Sequence, residues 1–572
     1  MLIRKIQKHS LDSHIVLAPE WELEANARKA FWNGFSTGPL TLKQEKIEKL
    51  CRKLLGIPLA GLDKAVNAEL KPVTQYNPKA KAMILHSIPA DSKAFDADAE
   101  AVLTNQLPVD QAAYCEARSV YFGGCDDLFV GRVEAWKHAV STSGYEGVEI
   151  PDIDYYYLSH ALLLLAERHI KEPTAQIKRM AGFLNKNKDA IVRIYALSKE
   201  MQIFLIWLKR LANLQVLFID ANNPEISRTW NNKSILYPTL NDAQLLKNLR
   251  GLTPEQILKE ETKLSKLYQE LNLALPVLPG YAIKRKGKDC NAFVQQLIQS
   301  AQLLQDRYRL QKGCLKASKA GNGARVTPDI DLNDKAKLEM LAMTAYGHND
   351  DYVLEAHVEY INSNIGGFPL KTTPSAHIRW GEVADGLTLQ FMEGTRWKGN
   401  IFTDLDTCSV FGISAEHGRL IIHTMNQIYH VFKSRELGLS ICGIDFAVGR
   451  IGGVFGDKVL LAVQDPNFSF NGGECLRIFM QKIKKKFSIP ENSPLYAATY
   501  VFSPSRDCTL SVLQSAVNKK NKSGRYAEGI ASIPGRWGMI GVAADSPADV
   551  TEYLAGIYSY LRKKNLIECS TF

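Results

Sequence analysis

Asp445, Asp465 and Asn467 are the residues of this chain whose types and spacing best suit chemistry. They lie in the segment GIDFAVGRIGGVFGDKVLLAVQDPNFSFNGG, which ends at Gly473. Asp445 stands between Ile444 and Phe446, so strand alternation points its carboxylate away from those apolar neighbours. The run KVLLAV then delivers Asp465 and Asn467 two residues apart, on one face of an extended segment. Three hard oxygen ligands from adjacent strands suit Mg²⁺ held beside nucleotide phosphates. An acidic hairpin with an Asx turn before Gly472 and Gly473 is the competing reading of the same residues.

A second group lies upstream. GCLKASKAGNGARV (313–326) opens as a short apolar strand carrying Lys316 and runs into a loop with Gly321 and Gly323. Alternating glycines let backbone N–H groups approach phosphates, and a lysine adds a point charge. No GKS or GKT follows, so the loop is not a P-loop. Neither a Gly-x-Ser-x-Gly elbow nor a cysteine-nucleophile signature occurs, which removes the common hydrolase arrangements.

The elements that must position these residues can be read coarsely. Residues 1–80 look helical. In TLKQEKIEKLCRKLLGIP, Thr41 and Gln44 match a capping box, Leu42, Ile47, Leu50, Leu54 and Leu55 approximate one face, and Gly56 then Pro58 stop the helix. Residues 81–225 alternate strand-like runs (AMILHSI, LQVLFIDA) with helices such as YLSHALLLLAERHI. Residues 226–572 carry the chemistry. GLTPEQILKEETKLSKLYQEL reads as a charged helical insertion, and GFPLKTTPS (367–375) as a Gly/Pro loop, either a connector or a lid. His357 reads as a core or hinge histidine.

Taken in order, these segments resemble the nucleotide-binding half of the ATP-grasp superfamily, and more closely its carboxylate–amine ligases of the pheganomycin peptide ligase type. FVQQLIQSAQLLQ (293–305) resembles the helix before the phosphate-loop strand, and LNLALPVLPG (271–280) the helix-then-Pro-strand that precedes it. VLEAHVEYI (353–361) is similar to the strand that passes the adenine, with Glu355 and Glu359 as its acids. PSAHIRW (374–380) is similar to the family's PS-x-x-x-R strand, and 524–557 to its closing strand–turn–strand and helix. The resemblance spans residues 225–560. It implies an α/β (α+β) ATP-grasp fold over 226–572, preceded by a pre-ATP-grasp α/β domain (81–225) and the helical region (1–80).

The same resemblance implies the roles. Lys233, Lys316, Gly321, Gly323, Glu355 and Glu359 would bind ATP. Asp445, Asp465 and Asn467 would hold Mg²⁺, and Arg379 or Arg450 would steady the transferring phosphoryl group. Where the family writes Glu-x-Asn-x-Arg-x-Gly-Gly, this chain has Asp465, Asn467, Ser469, Gly472 and Gly473. Ser469 removes a cation, for which Arg379, Arg396 and Arg450 are the candidate replacements. The activity implied is joining a small-molecule carboxylate to an amine, amino acid or peptide, through an acyl phosphate. A degenerate nucleotide- or partner-binding protein and a small-molecule kinase are the alternatives.

Composition excludes other classes. With 572 residues, 46% hydrophobic and 23% charged, the chain is that of a globular protein large enough for several cores. The longest apolar runs are too short to span a bilayer, and the N-terminus lacks a signal-peptide core. The ten cysteines are scattered, as for reduced thiols in a cytoplasmic setting. The +10 charge is modest for this length, and the basic clusters lack interleaved aromatics, which argues against nucleic acid.

Overall fold

The computed structural model describes residues 15–16, 42–75, 77, 80–86, 118, 123–124, 126–131, 146–150 and, from 157 to 568, all but 196, 247, 320–324, 366, 395 and 534–536. The chain forms two compact units. The first comprises Met1–Pro224, Gly438–Ser440 and Glu474–Phe572, and the second Glu225–Leu437 and Ile441–Gly473. The residues after Gly473 thus group with the N-terminal part of the chain, whereas the sequence reading kept 226–572 together.

In the first unit, short and continuously apolar strands form a parallel sheet. They are β1 (Ile15–Val16), β2 (Leu70–Pro72), β3 (Ala82–Leu85), β4 (Leu128–Gly131), β5 (Glu146–Glu149), β6 (Ile191–Ile194) and β7 (Leu217–Asp220), in the order β1-β5-β4-β3-β6-β7-β2. Runs such as AMIL are buried throughout, as strands covered on both faces must be. The helices α1 (Gln44–Leu55), α2 (Leu62–Glu69), α3 (Leu158–Lys171), α4 (Ala175–Lys186) and α5 (Lys199–Leu211) share one core with this sheet. Residues 42–75 are therefore part of the α/β layer, with β2 as an edge strand of the sheet. Helix α1 ends at Gly56 in the left-handed region (φ 74), as the sequence indicates, but its N-cap is Lys43, without a side-chain cap; Thr41 lies outside the described residues.

The second unit is antiparallel. A four-stranded sheet runs β10-β9-β11-β8, from β8 (Gly280–Ile283), β9 (Lys312–Ala317), β10 (Val326–Asp331) and β11 (Tyr352–Ala356). Helices α6 (Cys290–Tyr308) and α7 (Lys335–Gly347) cover it. Phe293, Leu297, Ala301, Leu304 and Tyr308 of α6 recur at helical spacing and share that core.

A larger sheet in the same unit orders β12 (Glu359–Tyr360), β18 (Ile441–Arg450), β14 (Phe368–Arg379), β16 (Leu387–Glu393) and β17 (Arg396–Thr403). On it, β13 (Asn362–Ile365) and β15 (Glu382–Val383) pair with β14, and β19 (Leu460–Asn467) pairs with β18. Helix α8 (Ala415–Ser434) packs on β14. Ala447, Ile451 and Ala462 join the apolar cluster of the four-stranded sheet, so the two sheets share a core.

Two expectations are corrected here. Residues 368–375 form the first part of strand β14, paired with β13, and are neither a loop nor a lid. The pairing with β16 shifts register between Lys371 and Ser375, and Pro374, which has no N–H to donate, falls in that irregular stretch. The strand expected over 353–361 breaks after Ala356, so Glu355 and Glu359 belong to different sheets.

The C-terminal residues of the first unit follow helix α9 (Gly472–Lys486). Strands β20 (Tyr496–Phe502), β21 (Arg525–Ile533) and β22 (Trp537–Ala544) pair antiparallel with β22 in the middle, beside α10 (Leu510–Asn518) and α11 (Pro547–Lys563). This is the strand–turn–strand and helix expected for 524–557.

Candidate functional site

The β18–β19 pairing sets Asp445 directly opposite Asp465, and Gly443 opposite Asn467. Register then shifts, because Phe446 faces Val463 and Gln464 has no opposite number. This β-bulge turns two consecutive side chains, Gln464 and Asp465, toward polar partners, where regular alternation would send them to opposite faces.

Asp445 accepts a hydrogen bond from the Ser375 hydroxyl, its partner across β14, and another from the Asn467 amide at 3.4 Å. Burial, and next the neighbouring Asp465 carboxylate, pushes Asp445 up to about 6; Ser375, Gln390 and Lys233 pull the other way. Asp465 pairs with the Lys233 ammonium at 3.2 Å through Oδ2, while its buried Oδ1 has no hydrogen-bond partner among the described residues.

Lys316 comes from β9 and forms an ion pair with Glu355 of β11, which is 1% exposed. Glu355 also accepts from the Tyr237 hydroxyl, and from the Gln464 amide at 3.3 Å. Gln464 donates in turn to the Tyr360 hydroxyl at 2.6 Å. Burial opposes charge on Lys316, yet Glu355, with Cys314 and Tyr360 adding to it, outweighs burial and holds the ammonium well above its ordinary value. Burial, with the Glu355 charge added, raises the Tyr237 phenol; burial pushes Tyr360 up to about 12. A carboxylate this deep is tolerated because donors meet it from several elements.

Lys233 opens a short 3₁₀ turn, Lys233–Ile235, whose N-cap is Asn232. Its side chain reaches Asp465, and Lys316 reaches Glu355, the acceptor of Gln464. Lys233 thus meets β19 directly at Asp465, while Lys316 is linked to the adjacent Gln464 only through Glu355.

The other expected residues are placed as follows. Arg379 lies on the same face of β14 as Ser375 but four residues along, about 13 Å at the usual strand rise; it is buried with its guanidinium 4.0 Å from the Trp380 ring centroid. Arg450, exposed at the far end of β18, donates to the Asp457 carbonyl at 3.0 Å. Glu359 is exposed and pairs across strands with Arg450. Gly321 and Gly323, and the side chain of Arg396, lie outside the described residues. His357 accepts from the Asp329 amide at 3.2 Å, and burial lowers its pKa.

Sequence reasoning missed Tyr237, Ser375, Gln390 and Gln464. Ser375 carried a signal, since it lies two residues before His377 and four before Arg379 and so shares their strand face. Gln464 had none, because a bulge is invisible to period-two alternation. Gly472 and Gly473, legible only as turn residues, have a packing role. A Cβ at 473 would stand 2.5 Å from His377 Cε1 and 2.7 Å from Thr388 Oγ1, and one at 472 would stand 2.7 Å from Trp397 Cζ2.

The donor set fits a hard divalent cation. Two facing carboxylates, one with an orphaned buried oxygen and the other pushed toward protonation by burial and then by its neighbour, have the single Lys233 ammonium beside them, on Asp465. Asn467 adds an amide oxygen once its side chain turns. Among the described residues no group of three His, Cys, Asp or Glu is arranged to hold a metal; Mg²⁺ takes one or two carboxylates and completes its shell with water and phosphate. The seven described cysteines are free thiols, and no described helix is long and apolar enough to cross a membrane.

No protein-family model and no curated protein matches this chain. Among solved structures it is similar to N5-carboxyaminoimidazole ribonucleotide synthetase from Thermus thermophilus (13% identity, 82% of this chain and 98% of that one, TM-score 0.41). It is similar also to the biotin carboxylase domain of Hydrogenobacter thermophilus 2-oxoglutarate carboxylase, solved with MgADP, ADP and bicarbonate (10%, 82% and 86%, TM-score 0.40). A third is D-alanyl-alanine synthetase A from Vibrio cholerae (16%, 52% and 71%, TM-score 0.30). At these values the likenesses carry no weight for activity or substrate.

Proposed function

We propose that the protein is an ATP- and Mg²⁺-dependent carboxylate–amine ligase of the ATP-grasp type, forming a peptide-like amide through an acyl phosphate. The observation that carries this reading is that the facing pair Asp445 and Asp465 has Lys233 on Asp465 and, through the Glu355–Gln464 bond, Lys316 on the residue next along the bulge. A facing carboxylate pair with a lysine on it, and a second lysine held on the neighbouring buried carboxylate, supply the metal ligands and cations that a metal–polyphosphate ligand needs.

In this reading Lys233 and Lys316 bind phosphate oxygens, and Glu355, held by Tyr237 and Gln464, keeps Lys316 protonated and aimed. Asp445, Asp465 and Asn467 hold Mg²⁺, which supplies charge neutralisation at the phosphate oxygens. A substrate carboxylate oxygen attacks the γ-phosphorus and the bond to ADP breaks. The amine then attacks the acyl carbon and phosphate leaves. The chain's residues position and neutralise rather than form covalent bonds. Of the two arginine candidates, Arg379 is the better placed, since Arg450 is engaged at the far end of β18. The substrates are a small carboxylate and an amine, amino acid or peptide.

A second reading, nucleotide binding without ligation, is favoured by Ser469, which stands where the family carries arginine. Incubation with ATP, Mg²⁺ and a panel of amino acids separates the readings. Ligation releases ADP and phosphate in equal amounts and only with a competent amine present. ADP without free phosphate indicates a phosphorylated product, and ATP binding without ADP leaves the binder. Absence of any ATP binding sinks both.

A further inference from the structure

Ser318 lies two residues after Lys316, is 1% exposed, and spends all of its polar groups on two other segments, 232–234 and Asp351. Its carbonyl accepts from the backbone N–H of Lys233 at 2.9 Å. Its hydroxyl donates to the Asn232 side chain and accepts from the Ser234 N–H at 2.8 Å. Its own N–H donates to the Asp351 carbonyl at 2.8 Å. The ring closes behind it: Lys284 donates to the Ser234 hydroxyl at 2.8 Å and to the Asp351 carboxylate at 3.1 Å, and the Ser234 N–H also reaches Asn232 Oδ1 at 3.0 Å.

A three-residue 3₁₀ turn has no stability of its own, because its few internal bonds do not repay the backbone freedom it gives up. The place of the Lys233 turn is therefore set from outside. Residues 232, 233 and 234 all bond to Ser318, so the turn bearing one lysine is stapled to the strand bearing the other.

Resting on the nucleotide reading above, we propose that Ser318 is a positioning residue that sets the register of Lys233 against Lys316, so that the two ammonium groups meet a nucleoside di- or triphosphate as one rigid pair. In this arrangement the two lysines meet different phosphates, so a monophosphate lacks the second group that the pair is set to receive. The staple therefore acts on the second phosphate and little on the nucleoside.

Calorimetric titration of the full chain with ADP and with AMP tests this, on wild type, Ser318→Ala, Lys233→Ala and the double variant. Loss of a shared buried hydroxyl weakens ADP binding by about tenfold, while AMP binding changes little. The double variant binds ADP no more weakly than Lys233→Ala alone, because Ser318 acts through Lys233. Additive losses, equal losses for ADP and AMP, or unchanged ADP affinity in folded Ser318→Ala overturn the proposal. Should Ser318→Ala not fold, Asn232→Ala removes the other arm of the staple and is read in the same way. If wild type binds no ADP, or Lys233→Ala binds it as well as wild type, the nucleotide reading itself fails and takes the staple with it. If Lys233→Ala weakens binding and the Ser318 criteria are not met, only the staple fails.

Discussion

Asp445→Asn should make the metal-free protein more stable near pH 7, although it removes a charged residue from the candidate site. Burial and the Asp465 charge raise the Asp445 carboxyl from 3.8 to about 6 in the folded state. At 1.36 kcal/mol per pKa unit, that shift corresponds to about 3 kcal/mol. A carboxyl raised on folding binds its proton more tightly in the folded protein. The cost is therefore fully present above pH 6 and is relieved as pH falls through 6 toward 3.8.

Asparagine at 445 is neutral throughout, keeps an oxygen for the Ser375 hydroxyl, and offers an N–H₂ to the orphaned Oδ1 of Asp465. We expect the variant to exceed wild type by about 1–3 kcal/mol at pH 7.5 and the difference to vanish near pH 4. Hydrogen exchange of peptides covering β18 and β19, measured across that pH range without metal, reads the local stability. With Mg²⁺ and ATP the order should reverse, because only wild type gains from the cation. A variant less stable than wild type at pH 7.5, or a difference independent of pH, would refute the reasoning and return the pair to the role of turn-forming acids.

Two further substitutions bear on the same region. Lys316→Ala should weaken ATP binding by about 1–3 kcal/mol, as for a hydrogen bond to a charged group, and should destabilise the protein by leaving Glu355 buried without its cation; Glu355→Gln in the same chain should restore stability but not ATP affinity, measured by calorimetry and chemical unfolding. Gly473→Ala should cost about 1–3 kcal/mol through contact with His377 and Thr388. Gly182→Ala, a helical position with open space around it, should stabilise by about 0.5–1 kcal/mol, and denaturant midpoints that do not separate the two would count against the packing account.

Sequence alone determined the features that depend on neighbours within a few residues. The α1 stop at Gly56, the hairpin that carries Asp445 and Asp465 and the apolar strand bearing Lys316 follow from periodicity, turn glycines and charge placement, which are local properties of the chain, while the closing β21–β22–α11 segment is expected from the family resemblance. Tertiary structure decided what depends on cross-strand register and chain crossings. Only the pairing of β18 with β19 reveals that Gln464 is unmatched, and so that it and Asp465 can turn to adjacent partners. Only the approach of β11, β9 and the Lys233 turn brings Tyr237, Lys316 and Gln464 onto one buried carboxylate. Pro374 read as a loop residue because proline is costly in a strand interior, and an irregular register with β16 is what makes room for it. Register and crossings are fixed by contacts between residues far apart in the chain, and a local pattern of residue types carries no information about which distant strand will stand opposite.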